Sequence, residues 1–98
     1  MALAFPEAKE ADHHGRPSFR VRDKVFATFW NETTMNVMVD ARVIRIATQR
    51  APDVCEPFHW GSRVAVLSVR LDAIAPEMLQ DLLAEAWERK APASLRSL

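Results

Sequence analysis

Asp12, His13 and His14 stand side by side and are the first residues whose types could do chemistry. A carboxylate with two imidazoles can ligate a metal or pass a proton near neutral pH. The spacing argues against it. Successive side chains on an extended chain point to opposite faces, so His13 and His14 diverge unless the chain turns at Gly15. Zinc takes three or four ligands, and the one remaining histidine is His59, so a metal centre would need His13 or His14, His59 and a carboxylate together. The simpler reading is a loop whose imidazoles bond backbone or water, with no metal and no cofactor. Ser18 and Ser62 lie a few residues from histidines, but spacing alone defines no triad. Cys55 stands beside Glu56, with no adjacent base to activate its thiol, and reads as a small buried residue. The expectation is a protein that is not an enzyme.

The cations offer a different chemistry. Arg16, Arg20, Arg22 and Lys24 cluster within nine positions, and Arg63 is a possible supplement. On a hairpin they could lie against a phosphate backbone, as forked or point charges that position a duplex without reading its sequence. A solvated strand face is the plainer use of the same residues. An alternative function is a small-molecule or protein-interaction module built on His14, Phe19, His59, Trp60 and Arg63, with Trp60 edging a groove at a turn. Trp30 is expected in the core or lining a groove, and Trp87 in the core.

These groups must be held by one small domain spanning 1–98, since 98 residues allow a single core. Hydrophobic residues make up 49% and charged residues 27%, the balance of a folded globule rather than a disordered segment. Net charge is zero, so no overall pull toward nucleic acid or membrane follows. The distribution is uneven: residues 13–50 carry seven basic and three acidic side chains, residues 51–98 five and seven. Two glycines exclude a Gly-rich phosphate loop, and one cysteine excludes an internal disulfide. The start, MALAFPEAKE, does not resemble a secretory leader, and no apolar run approaches the roughly 18 residues of a membrane span. A cytoplasmic protein without a membrane partner is the expectation.

The pattern then supplies the elements. Residues 1–12 form a short acidic segment broken by Pro6. PSFRVR (17–22) alternates, with Phe19 and Val21 on one face; a tight link at Asp23-Lys24 leads to VFATFW (25–30). MNVMVD (35–40) makes a third strand, with Met35, Val37 and Val39 opposite Asn36 and Met38. Asp40 suits the N-cap of a helix over 41–50. VCEPFHW (54–60) reads as irregular, broken by Pro57, and RVAVLSVRLD (63–72) as the clearest strand. From Pro76, Leu79, Leu82, Leu83, Ala86 and Trp87 keep helical spacing up to Pro92, and 93–98 is expected to be a flexible tail. Short links between strands give an antiparallel sheet with helices on one face, the α+β class.

The run H-x-G-R-P-S-F-R-V-R-D-K-V-F-A (13–27), with MNVMVD, VCEPFHWGSRVAVLSV and LLAEAWERKAP following in order, resembles the MmcQ/YjbR family of small bacterial proteins. The resemblance implies the order (α)-β(3)-α-β(2)-α. Its usual first helix is mostly missing here, so that either the start is incomplete or another element covers that part of the sheet. Members are commonly described as DNA-binding proteins with a double-wing arrangement, which would assign Arg16, Arg20, Arg22, Lys24 and Arg63 to phosphates. The fold is also similar to secretion chaperones, which would call for a homodimer with apolar grooves, and to the frataxin-like sandwich, which would call for an acidic ridge.

Overall fold

The computed structural model describes residues 2–13, 15–60 and 63–96, with side-chain detail for all of these except 13, 60, 63–65 and 96. Six strands, β1 (Ala8–His13), β2 (Arg16–Val21), β3 (Lys24–Phe29), β4 (Thr34–Val37), β5 (Cys55–Trp60) and β6 (Arg63–Arg70), make one sheet. Its order is β1-β2-β3-β4-β6-β5, antiparallel at every pairing. Helix α1 (Ala41–Arg50) joins β4 to β5, and α2 (Pro76–Lys90) and the short α3 (Ala93–Arg96) follow β6. This is an α+β fold.

Strand alternation sets what each face of the sheet does. Val21, Ala27, Met35, Val37, Leu67 and Val69 point to one face and form a single core with Ile44 and Ala47 of α1 and Leu82, Leu83, Ala86 and Trp87 of α2. The apolar stripe of α2 at i, i+3, i+4, i+7 and i+8 is what turns it onto the sheet. Asp40 caps α1 as expected, its Oδ1 accepting from the Val43 amide at 2.9 Å.

Four elements differ from the sequence expectation. The segment 1–12 is built into the fold: Ala2–Ala4 form a 3-10 turn and Ala8–His13 pair with β2 along their whole length. Phe5 stacks on Trp87 with centroids 6.0 Å apart and meets Phe26 edge-on, while the Trp87 indole donates to the Pro6 carbonyl at 3.0 Å. AKEADH carries little β-propensity of its own, so pairing with β2 decides its conformation.

The first hairpin turn lies one residue earlier than expected. Val21 pairs with Lys24, leaving Arg22 and Asp23 as a two-residue loop with φ of 49° and 67°. Positive φ at both positions is the type I′ geometry that matches strand twist, here taken by non-glycine residues at a cost of about 1–2 kcal/mol each. Register wins over turn preference because Phe19 and Val21 must both face the core. Between Phe19 and Arg20 the register shifts, and Phe26 is the extra residue of that β-bulge, fully buried.

Residues 55–60 form a regular edge strand rather than an irregular segment. Pro57 is tolerated because β5 has only one neighbour, so its missing N–H breaks no second ladder. The C-terminal stretch also has structure: Ala93–Arg96 make one helical turn, and Leu95 is buried in the core.

Candidate nucleic-acid interface

The opposite sheet face is built from the alternate residues of the same strands. The register aligns Ser18, Thr28, Asn36, Ser68 and Glu56 in one row across β2, β3, β4, β6 and β5. Neither main helix packs on this side, since the core they share uses the other set of residues. Ser18, Thr28 and Asn36 are nonetheless buried. Arg20 shows how: its Nε donates to Ser18 Oγ at 3.3 Å and its Nη2 to the Asp12 carbonyl at 3.1 Å, laying the guanidinium across the floor. Ser18 Oγ in turn donates to the Ala11 carbonyl at 2.8 Å. Asn36 Oδ1, by contrast, is buried without a hydrogen-bond partner among the described residues.

Cations and aromatics rise from this floor. Pairing places Lys9 beside Arg20 on the same face, while Arg16 lies across from Trp30 with its guanidinium carbon 4.4 Å from the indole centroid. That cation–π contact fixes Arg16 without using its hydrogen-bond donors. Trp30 is 44% exposed and also meets Phe58, centroids 5.7 Å apart. The indole forms a ridge between two hollows. One, of about 480 Å³, is lined by Trp30, Asn36, Glu56, Phe58, Ser68 and Arg70 among others; a second, of about 420 Å³, lies along Arg16, Pro17 and Phe29. Charge is graded across the face. Lys9, Arg16 and Arg20 sit on the β1–β2 side, whereas Asp53 and Glu56 sit at the β5 side, where Arg70 is paired with Asp72 at 3.4 Å.

The four cations of the first hairpin therefore divide. Arg16 and Arg20 share the helix-free face. Arg22 is turned to Glu7, which accepts from its Nε at 2.7 Å and its Nη2 at 2.9 Å. The hydrogen bond and charge of Arg22 hold the Glu7 carboxyl below its usual range, and Glu7 raises the Arg22 guanidinium. Lys24 is near the end of α2, where burial and the charges of Arg89 and Lys24 lower the Lys90 ammonium. Arg63 begins β6 opposite Trp60, both on backbone placement alone.

Of the residues of the alternative module, Phe19 on β2 and His59 on β5 are separated by three strands, while Trp60 and Arg63 pair at the β5–β6 end beside His59. Phe19 faces the helices, 8% exposed, and stacks edge-on with Phe29. His59 is exposed on β5, and His14 lies outside the described residues. Among the described residues no three of His, Cys, Asp and Glu converge as a metal site would require. Asp12 is occupied locally, its Oδ2 accepting from the Gly15 amide at 3.2 Å in a turn where Gly15 has φ of 82°. Cys55 is buried, and burial pushes its thiol pKa up. Among the described residues no helix is long and apolar enough to cross a membrane.

Sequence reasoning passed over Lys9, Trp30, Asn36, Glu56, Phe58, Ser68 and Arg70 as members of one surface. The available signal was the run of polar residues at alternate positions in strands that are otherwise apolar: Ser18, Thr28, Asn36 and Ser68. Cross-strand register, which no single strand carries, turns them into a row.

No curated protein matches the chain. The family model described as YjbR matches residues 3–89, which takes in every strand, α1 and nearly all of α2. By that match, and with the element order and core just described, the chain belongs to the YjbR family.

Proposed function

We propose that this protein binds DNA through the helix-free face of its sheet. The observation that carries the reading is the gathering of Lys9, Arg16 and Arg20 on that face beside the exposed indole of Trp30. Three cations along two strands suit a phosphate backbone, and an exposed aromatic suits a base. The first hairpin contributes through Arg16 and Arg20, whose side chains the sheet floor and the indole hold in place. Arg22 and Lys24 lie off this surface, so the double-wing picture of two projecting hairpin tips is not what supports the reading. With zero net charge, affinity depends on this local patch and falls steeply with salt.

The test is fluorescence anisotropy with labelled single-stranded and duplex oligonucleotides, beginning near about 50 mM salt. Binding is expected, weakening linearly in log salt, and the Arg16→Ala/Arg20→Ala double variant loses about two counterions' worth of slope. Absence of binding to either form at low salt overturns the proposal.

A further inference from the structure

The helix side of the molecule carries a second surface. Helix α1 packs over β5 and β6 and α2 over β3 and β4, which leaves a groove between them above the middle of the sheet. The groove encloses about 300 Å³ and takes one stripe of residues from each helix. Its floor is Ala47 and Leu82, both buried, with half-buried Val43; Ile46 stands beside them, 40% exposed. The walls carry opposite charges. Arg42 and Arg50 rise from α1, which contains no acid, while Asp81 and Glu85 rise from α2, which holds no base before Arg89. All four are exposed, and among the described residues no ion pair joins one wall to the other. Each wall thus keeps its donors or acceptors open.

We infer that this face pairs with the same face of a second copy of the chain, in a two-fold dimer. An isologous contact uses one patch twice, so the patch must complement itself. A face of one sign repels its copy; a face basic on one helix and acidic on the other attracts it. The two-fold lays α1 of each copy along α2 of the other, with Arg42 and Arg50 against the partner's Asp81 and Glu85. Ile46 of each copy enters the other's groove, which removes its exposed apolar surface from water. The charge pattern is what selects a second copy over an unrelated apolar helix. The patch is only two short helices wide, at the small end of specific interfaces, so association belongs in the micromolar range. The axis lies on the helix side, which leaves both open sheet faces outward, and the DNA-binding reading stands or falls separately.

The experiment is sedimentation velocity from about 1 to about 500 μM protein, with far-ultraviolet circular dichroism to verify that every variant is folded. The native chain is expected to pass from monomer to dimer across that range. Arg42→Glu/Arg50→Glu and Asp81→Arg/Glu85→Arg each set like charges together in both halves of the interface, and each alone weakens the dimer at least about tenfold. Mixing the two variants restores it, because reversed helices meet in one half and native helices in the other. Ile46→Ser, at an exposed position and without a change of charge, weakens the dimer as well. A native protein that stays monomeric throughout overturns the inference. So does a dimer that both reversed variants form as tightly as the native chain, or a mixture no tighter than its components.

Discussion

The two faces of this sheet are made from alternate residues of the same strands, yet they solve opposite problems. On the helix side, Phe26, Val37, Leu67 and Leu83 are buried in one apolar cluster shared with both helices. On the other side the corresponding residues are Thr28 and Asn36, buried, and Ser68, half-buried, with neither main helix packed on them and with arginines and an indole nearby. An apolar face left bare would invite self-association, so a polar floor is what lets the sheet keep that face open. Stability is therefore concentrated on one side, and the recognition proposed above is assigned to the other. Substitutions should separate the two.

The largest stability effect is expected on the helix side. Phe26→Ala should lower unfolding free energy by about 3–5 kcal/mol in chemical denaturation, because it removes a fully buried ring at the bulge. DNA affinity per folded molecule should stay unchanged. A loss of affinity in molecules that remain folded would show that the faces are coupled.

A smaller effect is expected at the helix end. Asp40→Ala removes the cap of α1 and should cost about 1 kcal/mol by the same assay, again without touching affinity. A cost near zero would mean that packing of Ile44 and Ala47 alone holds the helix.

The smallest is the Glu7–Arg22 pair, which ties the segment before β1 to the hairpin turn. Since the Glu7 pKa is lowered in the folded state, its stabilisation is present above the ordinary carboxylate range. It is lost as pH falls through the lowered native value. Both side chains are exposed, so screening keeps the effect small. Glu7→Gln should destabilise slightly at pH 7 and make no difference near pH 2; an equal loss at both pH values would rule out the ionic account.

The sequence shows one face better than the other. Alternation in MNVMVD and in residues 63–70, and the stripe Leu82, Leu83, Ala86, Trp87, name the core side because burial demands an apolar set at a fixed period. Strand β1 was not legible, since an edge strand of Ala, Lys, Glu and Asp takes its conformation from its neighbour. Pro57 misled for the same reason: whether a proline breaks a strand depends on whether that strand is an edge. The hairpin cations were legible as a group but not as two groups. Arg16 and Arg20 follow strand alternation onto the open face, while Arg22 sits in a left-handed turn that redirects it to Glu7, fifteen residues earlier. The polar row was hidden because it exists only across strands.

The central claim is that recognition belongs to the open face rather than to the hairpin as a whole. The direct measurement compares the DNA affinity of two folded double variants, Arg16→Ala/Arg20→Ala and Arg22→Ala/Lys24→Ala, by anisotropy at one low salt concentration. Each removes two positive charges from the same hairpin, so net charge is matched. The account predicts a loss of at least about tenfold for the first pair and near-native affinity for the second. Equal losses, or a larger loss for Arg22 and Lys24, would contradict it.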